Sequence, residues 1–150
     1  FNQVFSYDIA KDAGEYGKKQ FPKVNFITKG ITDREIFEEG PFNVLIAYEF
    51  YPYTRTSEWD YQKKYIDMCL LNLKKDGLLI IGTPNSRKKD NIMRNKRLIL
   101  QNYSKKHQVK IFRLPSYQIF KVIKNLYFTN LLSDIFSVLR DSHYLIIMHK

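Results

Sequence analysis

The sequence predicts an α/β fold, in which a mostly parallel sheet has flanking helices and a C-terminal antiparallel hairpin. Short apolar runs typical of buried parallel strands alternate with helical stripes of apolar residues. Strands that alternate with helices indicate right-handed crossovers, which place helices on both faces of a parallel sheet. The last two predicted strands are joined by too short a segment for a crossover helix, so they should pair antiparallel at one edge.

The first third of the chain is predicted as strand, helix and strand. Val4–Tyr7 is a short β-prone run. Ala10–Gln20 is predicted as a helix because acids stand early and lysines late, matching the helix dipole, and Pro22 ends it. Val24–Thr28 alternates and is β-branched, which predicts a second strand with Gly30 at its exit.

The middle of the chain repeats this order with more apolar strands. Val44–Ala47 is a continuous apolar run, as expected for a strand buried on both faces. Glu58–Leu73 carries a helical apolar stripe, and Lys74–Gly77 is its predicted C-terminal stop. Leu78–Ile81 is predicted as the next buried strand.

The last third has weaker patterns. Asn91–Lys106 is predicted as a basic helix and Val109–Phe112 as a short strand. Tyr117–Leu126 favours a helix, and Phe128–Ser137 is interpreted as a strand that pairs with Tyr144–Met148.

The overall composition bounds the class of protein. The 150 residues contain no internal repeat or Gly/Ser-rich linker, so a single domain, 1–150, is predicted. The single Cys69 excludes an internal disulfide, and no apolar run approaches the roughly 18 residues of a membrane span. No secretory signal opens the chain, so a cytoplasmic location is predicted.

The net charge of +10 is unevenly distributed. From Arg87 to Lys124 there are twelve Lys and Arg residues against one acid, Asp90. Such a block favours phosphate-bearing ligands, nucleic acid or an anionic membrane surface. The alternative is a solvated basic face without a ligand.

Polar residues at three predicted strand ends form the candidate site. Parallel sheets bind ligands beyond the carboxyl ends of their strands. Those ends carry Asp8, then the segment 29–31, then the segment 48–51. An acid in the position of Asp8 suits hydrogen bonds to ribose hydroxyls, although such a residue also serves as a helix cap or loop acid.

Taken together, these segments resemble class I S-adenosylmethionine-dependent methyltransferases. Residues 5–10 and 15–27 resemble the stretch that follows the glycine-rich motif of that family. Residues 42–50 resemble its fourth strand, and residues 65–85 resemble the following helix, Lys-rich turn and fifth strand. The final hairpin fits the reversed seventh strand. The resemblance covers about residues 4 to 85 and implies a Rossmann-like sheet.

The resemblance implies S-adenosylmethionine as the cofactor and assigns it a set of contacts. The implied cofactor-binding residues are Asp8, Ile9, Lys29, Gly30, Ile31, Ala47 and Tyr48. Asp8 would hold the ribose, and Ile9 would pack on the adenine beside residues 29–31. Ala47, Tyr48 and Glu49 would lie under the sulfonium end and the substrate mouth.

The sequence departs from the family in three places. No Gly-x-Gly-x-Gly cluster is present, and only seven residues precede Asp8, too few for the first strand and its loop. The sequence is therefore interpreted as a piece of a longer chain, with a partner chain or a permuted topology as alternatives. The adenine-contacting Asp that the family often has near Gly30 is absent. Pro52 and Tyr53 replace the Glu-His pair of metal-binding relatives, so no metal is predicted.

The loop Tyr51–Trp59 is the candidate acceptor site. Arg55 can bind a phosphate or carboxylate in a bidentate manner. Tyr51 or Tyr53 can orient an acceptor or contact the sulfonium by cation–π attraction. Glu49 can take a proton from an alcohol or bind the cofactor's amine. The alternative is a capped helix start with the aromatic rings packed beneath it.

Three functions follow from these observations. The first is a methyltransferase that acts on a small molecule, such as a sugar or phosphorylated metabolite, with an anionic group for Arg55. The second is an RNA or DNA methyltransferase, suggested by the basic block. The third is a catalytically inactive scaffold or nucleic-acid-binding domain. The oligomeric state is not predicted.

Overall fold

The computed structural model describes residues 3–30, 39–84, 91–114 and 143–150. Their secondary structure follows the chain in order, with one short 3-10 helix, η1. The elements are β1 Val4–Asp8, α1 Lys11–Gln20, β2 Val24–Thr28, β3 Phe42–Tyr48, α2 Tyr51–Thr54, α3 Trp59–Leu71, β4 Leu73–Pro84, η1 Ile92–Asn95, α4 Lys96–Tyr103, β5 Gln108–Leu114 and β6 His143–His149. The chain divides into two compact units, Phe1–Glu38 and Glu39–Lys150.

The first unit is the predicted strand–helix–strand. β1 and β2 pair in parallel, in register from Val4 opposite Val24 to Asp8 opposite Thr28. α1 packs through a buried Gly17, where an added Cβ would overlap the ring of Phe26. The glycine that weakens the isolated helix therefore allows the helix to approach β2 closely.

The second unit contains a four-stranded sheet in the order β3-β4-β6-β5. β3 is parallel to β4, whereas β6 is antiparallel to both β4 and β5. The predicted α/β class is thus confirmed. The predicted antiparallel pairing at one edge is also confirmed, because β6 pairs antiparallel with β5, which is the edge strand. The segments 117–126 and 128–137 lie outside the described residues.

The predicted helix stop at residues 74–77 became part of β4. α3 ends at Leu71, and the register shifts between the pairs Phe42–Leu73 and Val44–Leu78. Asp76 has a φ of 61°, a left-handed backbone. Residues 74–77, which were predicted to end the helix, therefore form a bulge within β4 and not a loop before it.

The core of the second unit lies on one face of its sheet. Alternate residues of β4 and β6 point there and are fully buried: Leu79, Ile81, Ile146 and Met148. Ile66 of α3 and Ile99 of α4 are also fully buried, as expected for helices whose apolar stripes pack on a sheet. On β3, by contrast, Ile46 is 65% exposed.

Gly17→Ala tests the close packing of α1. The better helix propensity of alanine is worth about 1 kcal/mol, but the clash with Phe26 should cost about 1–3 kcal/mol. We expect no gain in stability, or a loss, in urea unfolding. Gly14→Ala is the matched control, because its added Cβ would meet only the Thr28 hydroxyl, at 3.2 Å. Equal stabilisation by both substitutions would contradict the packing argument.

Candidate functional site

The first unit places four of the predicted residues together at the carboxyl ends of β1 and β2. The backbone N–H of Lys29 donates to the carbonyl of Asp8 at 3.0 Å, so parallel pairing extends to the strand ends. An added Cβ on Gly30 would lie 3.4 Å from Cγ2 of Ile9. Asp8, Ile9, Lys29 and Gly30 are therefore neighbours. The fifth predicted residue of this group, Ile31, lies outside the described residues.

Asp8 combines a structural contact with a free acceptor. Its Oδ1 accepts a hydrogen bond from the backbone N–H of Ala10 at 2.8 Å, which fixes the carboxylate at the start of α1. The carboxylate is exposed, and Oδ2 has no hydrogen-bond partner within the described ranges. Ile9 beside it is 78% exposed. At such a site the carboxylate can accept hydrogen bonds from sugar hydroxyls, and the apolar side chain can pack on the face of a base.

The second unit presents the end of β3 in a fixed conformation. Ala47 is buried, whereas Tyr48 is 57% exposed. The backbone N–H of Glu49 donates to the carbonyl of Gly82 at 2.9 Å, and Glu49 has a φ of 50°. A left-handed backbone is unfavourable for a glutamate, and such strain accumulates at functional sites.

Gly82 is a residue whose role the sequence did not reveal. It was assigned only to the exit of a strand, but it lies opposite Tyr48 in the β3–β4 pair. An added Cβ at Gly82 would overlap the Tyr48 ring. The ring thus lies against the backbone of the next strand, in space that a side chain at residue 82 would occupy.

The predicted acceptor loop contains a short helix, α2, with Pro52 in its first turn. Tyr51 is 62% exposed, and Arg55, which follows α2, is exposed as well. The backbone N–H of Arg55 donates to the carbonyl of Tyr51 at 3.0 Å. Tyr51 and Arg55 are therefore positioned at the surface by one helical turn.

Tyr53 lies in the core and does not reach the surface. Its exposed fraction is zero, and its ring makes an edge contact with Phe50 at 5.4 Å between centroids. Its hydroxyl makes no hydrogen bond within the described part of the chain. Burial, with a smaller contribution from Cys69, raises the pKa of Tyr53 well above its usual value. The expectation that Tyr53 contacts an acceptor is not supported by this buried position.

Cys69 is also not a candidate nucleophile. Burial raises the pKa of its thiol to about 12, so it stays protonated near neutral pH. Among the residues described, no three His, Cys, Asp or Glu side chains gather as a metal-binding group. Nor is any helix there long and apolar enough to cross a membrane.

The structure resembles solved methyltransferases. It matches an rRNA methylase from Streptococcus thermophilus with a TM-score of 0.60 and 12% identity, over 99% of this chain and 73% of that one. The N-methyltransferase NodS from Bradyrhizobium japonicum WM9 gives a TM-score of 0.57 and 10% identity, with 99% and 73% covered. The plantazolicin methyltransferase BpumL, solved with SAH, gives 0.60 and 13%, with 99% and 68% covered.

At these identities the likeness establishes the fold. The predicted Rossmann-like methyltransferase fold is confirmed by neighbours that span 99% of the chain. No protein-family model matches the sequence, and no curated protein is significantly similar to it.

The buried thiol of Cys69 predicts that the free energy of unfolding decreases at alkaline pH. Its folded pKa of about 12 exceeds the usual 9.0, so the unfolded state loses its proton first. The stabilisation is fully present below pH 9 and is lost as the pH rises towards 12, by about 1.4 kcal/mol per pH unit. We expect the free energy of unfolding of Cys69→Ser, measured with urea, to decline less steeply between pH 8 and 10.5 than that of the natural protein. Equal declines in the two proteins would contradict the raised pKa.

Proposed function

We propose that this chain is part of an S-adenosylmethionine-dependent methyltransferase. The observation that carries the proposal is the exposed carboxylate of Asp8 beside the exposed side chain of Ile9, at the ends of two parallel strands. Parallel strand ends are where nucleoside ligands bind in this class of sheet. The methyltransferase fold of the solved neighbours, one of them bound to SAH, supports this assignment.

The proposed nucleoside contacts lie at the carboxyl ends of β1 and β2. The Asp8 carboxylate accepts hydrogen bonds from the ribose hydroxyls, because Oδ1 alone is engaged locally. The adenine lies against Ile9 and the backbone of Gly30, with Lys29 at its border. Ile31, which the resemblance also implies as a contact, lies outside the described residues. Separately, within the second unit, we propose Ala47 and Tyr48 as cofactor-contacting residues, as the resemblance to methyltransferases implies.

The cofactor supplies a methyl group on a positively charged sulfur. The acceptor's nucleophilic atom forms a bond to the methyl carbon, the S–CH₃ bond breaks, and its electron pair remains on sulfur. Binding the two reactants in line supplies much of the rate enhancement. Glu49 would take the proton of an alcohol acceptor.

The proposed acceptor is a small molecule, such as a sugar or phosphorylated metabolite, that carries an anionic group. Arg55 and Tyr51 are exposed together at the two ends of α2. A guanidinium binds phosphate or carboxylate through two parallel hydrogen bonds. Tyr51 would orient the acceptor, or contact the sulfonium by cation–π attraction.

A nucleic-acid acceptor is the second candidate, because the segment 91–114 carries cations and no acid. Its cations are Arg94, Lys96, Arg97, Lys105, Lys106, Lys110 and Arg113. The S. thermophilus neighbour is an rRNA methylase. A steep fall of RNA affinity with salt would favour this candidate over a small molecule.

Asp8→Asn tests the proposed function by calorimetric titration of the full natural protein with S-adenosylmethionine. Asparagine can still accept the Ala10 hydrogen bond but loses the charge and one acceptor. We expect affinity to fall about tenfold, the loss of a charge-assisted hydrogen bond. Asp12→Asn, an acid in the first turn of α1, is the control and should bind normally. Unchanged binding by Asp8→Asn, or no binding by the natural protein, would refute the proposal.

A further inference from the structure

Two buried amide side chains hold the backbone that follows Arg55. Nε2 of Gln62 donates to the carbonyl of Thr56 at 2.7 Å, and Nδ2 of Asn95 donates to the carbonyl of Ser57 at 2.7 Å. The same Asn95 amide donates to Oε1 of Gln62 at 2.9 Å, which links the two side chains. We call Gln62 and Asn95 the amide clamp.

Gln62 and Asn95 are not the residues that their positions in α3 and at the start of α4 favour locally. Gln62 is fully buried in α3, on the same helix as the buried Tyr65 and Ile66. Burying an amide is unfavourable unless its polar atoms are hydrogen-bonded, and here the loop carbonyl and Asn95 provide the partners. Apolar side chains would fill this space without that requirement.

Asn95 shows the same departure at the start of α4. It occupies the N-cap position, where asparagine usually accepts a hydrogen bond from the helix backbone. Its side chain makes no such bond and instead reaches the loop and Gln62. Local preferences that are given up for a distant contact are characteristic of functional sites.

The backbone is held on both sides of Arg55, whose side chain is exposed. Before it, the Arg55 N–H is bonded to Tyr51 of α2, which is anchored by the buried Tyr53. After it, the next two carbonyls are bonded by the clamp, and the hydroxyl of Thr56 accepts a bond from the Glu58 N–H at 3.0 Å. The backbone from 55 to 58 is therefore fixed while the Arg55 side chain stays exposed.

We propose that Gln62 and Asn95 are positioning residues that fix the backbone of Arg55 so that its guanidinium binds the anionic group of the acceptor. This inference rests on the proposed function for the identity of the ligand, an acceptor with a phosphate or carboxylate. A preorganised guanidinium loses less conformational freedom on binding than one on a mobile loop. The clamp is thus a determinant of acceptor affinity, whereas the nucleoside contacts belong to the first unit.

Gln62→Met tests the clamp in the full natural protein, with inorganic phosphate as the probe. Methionine keeps the length of the side chain but removes both hydrogen bonds. We expect phosphate affinity in calorimetric titration to fall about tenfold, the scale of the entropy cost of ordering one long side chain on binding. Hydrogen exchange of the amides from 56 to 58 should become faster, while affinity for S-adenosylmethionine should not change.

Three further variants make the result specific. Arg55→Lys should weaken phosphate binding as Gln62→Met does, because lysine lacks the bidentate geometry. Asn102→Ala removes an amide that, among the described residues, bonds within α4 to Leu98, and this variant should bind phosphate normally. Asn95→Ala removes the bonds to Ser57 and Gln62 without burying a charge, so it serves if the methionine variant does not fold.

The outcomes separate this inference from the proposed function. Normal phosphate affinity in Gln62→Met despite faster amide exchange would show that the clamp only stabilises the fold, and would overturn the inference. Phosphate binding that is absent from the natural protein, or equal in Arg55→Lys, would overturn it as well. If the natural protein does not bind S-adenosylmethionine, the proposed function is refuted. The comparison of phosphate affinity between the natural protein and Gln62→Met remains valid in that case.

Discussion

Parallel backbone pairing is the constraint on which the candidate site depends. It aligns β1 with β2 and β3 with β4, so each pair ends its strands at a common edge. In both pairs a backbone hydrogen bond continues past the last residues, from Lys29 to Asp8 and from Glu49 to Gly82. These bonds fix the direction in which the chain leaves each strand. The pairing of the strands therefore fixes the positions of the residues that follow each strand end.

Two glycines allow aromatic rings to occupy space that a side chain would fill. Gly17 accommodates Phe26 under α1, and Gly82 accommodates Tyr48 at the end of β3. The first contact brings a helix close to its strand, and the second holds an exposed ring in place. Both use the missing Cβ for close approach, since neither glycine has a positive φ. The sequence shows only a helix penalty at Gly17 and a strand exit at Gly82.

The segment 51–58 is held by aromatic packing around Phe50 and by hydrogen bonds from two buried amides. The rings of Tyr53 and Tyr65 contact Phe50 at 5.4 and 5.3 Å between centroids. This apolar anchor fixes α2, and the clamp of Gln62 and Asn95 fixes the turn that follows. Because buried amides are stable only when bonded, displacing the turn would leave them unsatisfied. A rigid scaffold thereby carries an exposed arginine, an arrangement that favours binding with little reorganisation.

The sequence by itself determined the features that depend on local chemistry. Apolar runs and helix stripes located β1, α1, β2 and α3 to within one or two residues, and the strand-end pattern brought Asp8 and Ile9 next to residues 29 and 30. Tertiary structure decided what depends on distant partners. The position of β6 between β4 and β5, the burial of Tyr53 and the bond from Asn95 to Gln62 are examples. Strand order and buried polar bonds join residues far apart in the chain, so the periodicity of a short segment carries no information about them.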